Sequence, residues 1–136
     1  MASFHDIADK AGPGRSVVGW KLPEDDRRRL LDRFSPRYAR TVADHVTLAA
    51  RVASDTRPPD DVDAVVVGHA DDGQGVEALA VAVEGSRARP DGSTFHITWS
   101  LAKGRMAKES NDVLASRGWT SLEEPIPIHL VGARFP

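Results

Sequence analysis

The chain has no cysteine. Disulfides and thiolate metal sites are therefore excluded, and the composition fits a reducing, cytoplasmic setting. No apolar run approaches the ~20 residues that a membrane-spanning helix needs, so no membrane partner is expected. Residues 1–14 are polar and lack the apolar core of a secretion signal; they read as a flexible arm ahead of a single domain over 15–136. A strong charge of either sign is also missing: 18 Lys and Arg stand against 20 Asp and Glu, a net of −2. Proteins that grip extended duplex nucleic acid usually need a basic face. The balance here suits a small substrate or an RNA end, with Arg27, Arg28 and Arg29 available for a local basic patch. Other signatures are absent too. Gly73 and Gly75 fall in a hairpin turn, not in a phosphate-cradling loop, and no serine stands in a nucleophile elbow. A metal site from His45, His69 and Asp71 lacks the closely spaced pair such sites use. No cofactor is expected, and nothing in the pattern sets an oligomeric state.

What the chain does have is several short β-patterned runs and two helical ones. Ser16 to Lys21 reads as a strand. Pro23 suits the first turn of a helix, with Glu24, Asp25 and Asp26 at its positive end and Leu30, Leu31 and Phe34 as its apolar stripe; Pro36 stops it. Strands are expected from Asp44 to Val52, Val62 to Gly68, Val76 to Val83, Thr94 to Leu101 and Ile126 to Ala133, the second and third forming a hairpin. Pro125 and Pro127 suggest that the last begins irregularly or at a sheet edge. A short helix capped by Ser110 or Asn111 runs to Arg117 and stops at Gly118. Strands outnumber helices and several pair as neighbours, which gives an α+β class with mainly antiparallel sheets and two short helices.

One phrase occurs twice: His45-Val46-Thr47-Leu48 and His96-Ile97-Thr98-Trp99. Side chains alternate along a strand, so His45 and Thr47 share a face, as do His96 and Thr98, while Val46, Leu48, Ile97 and Trp99 point the other way. The bland account is two half-buried strands with polar outer faces. The functional account is a cleft with two imidazoles and two hydroxyls facing one small anion.

These two tetrapeptides resemble the signature of the two-histidine (2H) phosphoesterase superfamily, a pair of His-hydrophobic-Thr-hydrophobic motifs. The run Phe95 to Leu101 followed by Lys108 to Leu114 is similar to the phosphodiesterase domains linked with tRNA ligases and related bacterial RNA-repair-like proteins. The resemblance implies a bilobal α+β fold in which each lobe gives one motif to a central cleft. It also implies metal-independent chemistry on 2′,3′-cyclic phosphates or related phosphoesters. Carried onto this chain, one of His45 and His96 is the general base and the other the acid, and Thr47 and Thr98 donate to the non-bridging phosphate oxygens. His45 and His96 are closer in sequence than in many members, which implies trimmed lobe loops. Tyr38, Lys103 and Arg105 are candidate substrate-binding residues beside the motif strands, each with a packing or solvated-loop account of equal weight. The expected substrate is a nucleotide or RNA terminus bearing a 2′,3′-cyclic phosphate, opened to a 2′-phosphate. The alternatives are a non-catalytic binding module for a phosphorylated nucleotide or RNA end, and an enzyme that cuts 3′,5′-cyclic nucleotide signals.

Overall fold

The computed structural model describes residues 16–135; the arm expected over 1–14 lies outside them. The elements follow as β1 (Ser16–Lys21), α1 (Glu24–Arg33), β2 (Arg40–Thr41), β3 (His45–Val52), β4 (Val62–Asp71), β5 (Val76–Val83), β6 (His96–Leu101), α2 (Glu109–Arg117) and β7 (Thr120–Phe135). Every strand pairing is antiparallel, and together they make one continuous sheet ordered β2-β6-β5-β4-β7-β1-β3. The α+β class with antiparallel strands and two short helices is what folds. Among the described residues no helix is long and apolar enough to cross a membrane.

The two ends of that strand order belong to one stretch of chain. β2 and β3 are separated by only Val42, Ala43 and Asp44, yet β2 pairs with β6 and β3 pairs with β1. The sheet must curl until its two edges meet. Both faces of its middle are then covered, which is why β5 is buried along its whole length and reads as an apolar run without alternation. The larger apolar cluster draws on six of the seven strands and on Leu30 of α1. The smaller packs Val113 and Leu114 of α2 against Val67, Ala80 and Ala82 of the sheet.

α1 begins after Pro23 with its three acids in the first turn. Asp26 is nonetheless buried, because its carboxylate accepts from the His129 amide (2.7 Å) and from Arg29 (2.6 Å). The helix thereby covers the side of β7 that no strand pairs, since β1 takes only Val131 to Phe135. β7 starts six residues earlier than expected, at Thr120, and its ladder with β4 breaks register around Pro125. Pro127 sits in the ladder opposite Val65, and Arg29 reaches its carbonyl from the α1 side (2.8 Å). A proline is tolerated where its missing N–H faces away from the neighbouring strand.

α2 corrects the expected cap. The helix starts at Glu109 and its capping position is Lys108, so Ser110 and Asn111 lie inside the first turn. Glu109 closes that turn by accepting from the Met106 amide (2.6 Å), which leaves Ser110 available for another contact. Gly118, at φ +67°, ends the helix as the glycine predicts.

Candidate active site at the strand fork

The join between the sheet edges is built from a few backbone bonds. After β2, Val42 donates to the Trp99 carbonyl (2.9 Å) and Ala43 to that of Thr98 (3.0 Å). Ala43 then takes φ +44° and turns the chain away from β6. Its own carbonyl accepts from Arg27 (2.9 Å), and that of Asp44 from the Leu22 amide (3.0 Å), so the bend is held from both sides. From His45 onward the strand belongs to β1, with Lys21 opposite His45 and Gly19 opposite Thr47. The approach is close: a Cβ on Gly19 would lie 2.2 Å from the Val46 carbonyl oxygen. β3 and β6 therefore part as a fork. His45 lies two residues past the Ala43 bond and His96 two residues before Thr98, so the antiparallel strands bring both imidazoles to the crotch.

Strand alternation decides which way they point. Val46, Ile97 and Trp99 are buried in the larger cluster and Leu48 packs against it. Trp99 is fully buried, and its indole N–H donates to the Phe34 carbonyl (2.8 Å). Burial of a side chain of that size contributes about 3 kcal/mol, which fixes the parity of the strand. The two His–Thr pairs are left on the opposite face.

The two histidines differ in their partners. His96, 9% exposed, donates through Nδ1 to the Thr94 carbonyl (2.8 Å). A carbonyl only accepts, so Nδ1 carries the hydrogen and Nε2 presents a lone pair. Burial drives its pKa down to about 4, and the positive charges of Arg89 and His45 add to the effect. His45, 6% exposed, donates through Nδ1 to the Asp44 carboxylate (3.1 Å). Burial also lowers its pKa, but Asp44 pulls the other way by favouring the imidazolium. The same hydrogen bond holds the Asp44 carboxyl below the ordinary carboxylate range.

The threonines differ likewise. Thr98 is buried under the first turn of α2, where it shares a hydrogen bond with the Ser110 hydroxyl (2.9 Å) and reaches the Ala107 carbonyl (3.3 Å). Thr47 is half-buried on the outermost strand.

Tyr38, Lys103 and Arg105 are not brought to this fork. β6 pairs with β5 so that His96 faces Ala80 and Leu101 faces Val76. Five residues of strand put the far end roughly 16 Å from His96. There Tyr38 donates to Asp71 (2.5 Å), and Arg105 ties Asp72 (3.0 Å) to Glu109 (3.1 Å). Lys103 is exposed in the turn beyond. His69 and Asp71 belong to that end as well. The buried Glu77 carboxylate accepts from His69 Nε2 (2.7 Å), the Ser100 hydroxyl (2.6 Å) and the Arg37 amide (3.0 Å). Among the described residues no group of three or more His, Asp or Glu is arranged to hold a metal ion.

Three residues that bear on the motif side chains are not functional candidates on sequence: Asp44, Ser110 and Arg89. Asp44 could have been found as the acid next to a motif histidine. Ser110 was hidden by its resemblance to a helix cap, and Arg89 by a loop with no periodicity.

Comparison of the chain with family models, with curated proteins and with solved structures finds no match.

Proposed function

We propose that the fork is the active site of a two-histidine phosphodiesterase that opens a 2′,3′-cyclic phosphate at a nucleotide or RNA end. The two ends of the sheet act as the two lobes, each presenting one motif. The observation that carries this reading is the unlike pair of imidazoles at one crotch, one with a free Nε2 lone pair and one backed by a carboxylate. General acid–base chemistry on an ester needs such a difference.

Water attacks phosphorus and His96 Nε2 takes its proton. The bond from phosphorus to the ribose 3′-oxygen breaks, and His45, as imidazolium beside Asp44, protonates that oxygen. The product is a 2′-phosphate monoester, and a proton passing from His96 to solvent and another to His45 restores the site. Thr47 and Thr98 donate to the non-bridging oxygens as charge builds there. With Ser110 donating to Thr98, the hydrogen of Thr98 goes to the Ala107 carbonyl, and substrate must draw it from there to gain a donor. The engagement of Thr98 by Ala107 and Ser110 favours the second reading, a module that binds the phosphorylated end without cleaving it.

The test is hydrolysis of the four nucleoside 2′,3′-cyclic monophosphates in excess EDTA, with 2′ and 3′ products separated and His45→Ala and His96→Ala in parallel. Turnover is expected to survive EDTA and to fall by about 10²–10⁴ in each variant, the share that a positioned acid or base supplies. Retention of near wild-type rate by either folded variant would remove the mechanism. Cleavage of 3′,5′-cyclic substrates in place of these would keep the site and change the substrate. Because burial lowers both histidines, the kcat/KM profile is expected to be a bell with both limbs on the acid side of about 6.5.

A further inference from the structure

The far end of β6 carries a second constellation, on the other face of the sheet. The ladder with β5 slips there: Thr98 faces Ala78, whereas Ser100 faces Glu77. Trp99 is the extra residue of that bulge, so Ser100 leaves the face of the motif pair and turns with Glu77 to the Trp99 side. Glu77 is only 1% exposed. Its Oε1 accepts from the Ser100 hydroxyl and the Arg37 amide, and its Oε2 from His69 Nε2. Burial pushes the carboxyl pKa up, but these hydrogen bonds outweigh it and hold the group below its ordinary range. The carboxylate is ionised and fully engaged.

His69 is the outward member of this pair. Its ring lies parallel to Phe34, with 5° between planes and 5.8 Å between centroids, so stack and carboxylate together fix its orientation. A carboxylate only accepts; Nε2 therefore carries a hydrogen, and the neutral ring offers a lone pair at Nδ1. That Nδ1 has no hydrogen-bond partner among the described residues. The side chain is 16% exposed and borders a cavity of about 390 Å³, within the range of pockets that hold small organic ligands. Arg33, Ser35, Arg37 and Thr120 complete its polar wall, and Leu122 adds an apolar one. Arg37 is committed, with Nη1 on Asp71 (2.8 Å) and Nε 3.7 Å from Glu77. Arg33 is not. Its guanidinium carbon lies 4.9 Å from the Phe34 ring centroid, and it has no carboxylate partner among the described residues.

The wall thus presents an uncommitted guanidinium, two hydroxyls and a fixed acceptor, while its acid is already satisfied. We propose that this cavity is a separate binding site for a small hydroxylated anion, whose anionic group pairs with Arg33 and whose hydroxyl donates to His69 Nδ1. Carboxylates and phosphates share the chemistry, since a guanidinium fork matches either. A plain anion lacks the hydroxyl and leaves Nδ1 unmatched; a neutral polyol lacks the charge. The site stands apart from the phosphodiesterase reading, because Glu77 and His69 lie on the face away from the motif pair and at the far end of β6.

Calorimetry on the full chain in phosphate-free buffer tests this with two matched pairs of probes. Each enantiomer of malate is set against succinate, and glycerol 3-phosphate against propyl phosphate. In at least one pair the hydroxylated member is expected to bind about tenfold more tightly, the scale of one hydrogen bond. The pair that shows it identifies the anionic group. Arg33→Gln, at an exposed position, should weaken both members of that pair about tenfold with Tm unchanged. His69→Gln keeps an amide that can donate to Glu77 and removes Nδ1, so the hydroxylated probe should fall to the level of its partner. If that variant does not fold, the matched pairs and Arg33→Gln still decide. His45→Ala and His96→Ala should bind every probe as the wild type does.

Equal affinity within both pairs, no binding of any probe, or binding indifferent to Arg33→Gln would each overturn the site. Binding lost in His96→Ala and kept in Arg33→Gln would put the anion in the fork and overturn it as well. Hydrolysis of cyclic phosphates is a separate readout, so either conclusion can fail without the other.

Discussion

The two copies of the His-x-Thr phrase lie at one fork, but in unlike surroundings. On β6, His96 bonds a neutral carbonyl and Thr98 sits under α2 with Ser110. On β3, His45 bonds a carboxylate, stands opposite Lys21, and is followed by a half-buried Thr47 on an outer strand. Identical residue types thus acquire unlike hydrogen-bond partners, a neutral carbonyl for one imidazole and a carboxylate for the other. The lesson is that a duplicated motif need not be a symmetric site: burial lowers the pKa of both imidazoles, and the β3 copy alone has a carboxylate that pulls back toward the imidazolium.

The strongest way to break this comparison is Asp44→Asn. It removes the carboxylate that favours the His45 imidazolium and leaves the His96 arm untouched. kcat is expected to fall about tenfold, part of the contribution of the general acid. The basic limb of the pH profile should move to lower pH while the acid limb stays. Movement of the acid limb instead would exchange the two roles.

Stability against pH offers the next test. The folded pKa of His96 lies near 4, below the ordinary value of about 6.5. Between those values the unfolded chain binds a proton that the folded chain refuses, so stability is fully present above about 6.5 and is lost as the pH falls toward about 4. Urea titrations across that window should show the wild type weakening with acid, and His96→Gln, which cannot titrate there, weakening less. A parallel loss in both would place the acid sensitivity elsewhere.

A smaller effect is expected from Ser110→Ala. Thr98 keeps the Ala107 carbonyl and loses its bond to Ser110, and stability should fall by about 1 kcal/mol, the net worth of one hydrogen bond. If Ser110 also orients Thr98, kcat drops without a change in KM, and Ser110→Thr recovers part of it. An effect on KM alone would mark the hydroxyl as a substrate contact.

The smallest effect belongs to Lys103→Ala. Its strand end lies roughly 16 Å from His96, about twice the screening length at physiological salt. KM should stay within about twofold of wild type, since a screened charge at that distance adds little. A larger rise would show that substrate extends along β6 to its far end.

Much of the fork was legible in the sequence for a specific reason. Alternation in a strand is a strict two-residue period, so Val46, Ile97 and Trp99 could be assigned to a core and the His–Thr pairs to the other face before any coordinates. The closure itself could not be read. β2 is two residues long, and the turn depends on Ala43 adopting a left-handed conformation that its residue type does not advertise. Tyr38, Lys103 and Arg105 flank the motif strands in sequence, which is what groups them with the motifs there. Register with β5 sends that end of β6 away from His96. Serine at a helix start favours the capping position, whereas Ser110 stands two positions past the cap, against the buried Thr98 hydroxyl.

The link from Ala43 to Thr98 also bears on how the molecule assembles. It joins segments separated by the whole of β3, β4 and β5, so it forms only after those strands have ordered, and chain-closure entropy makes such contacts late and slow. Before that step neither histidine has the other beside it. Recovery of the site during refolding should therefore coincide with the final cooperative phase, and no partly folded species should carry it. By the same logic, loosening the hairpin between β4 and β5 would dismantle the fork at a distance, although none of the four motif side chains is touched.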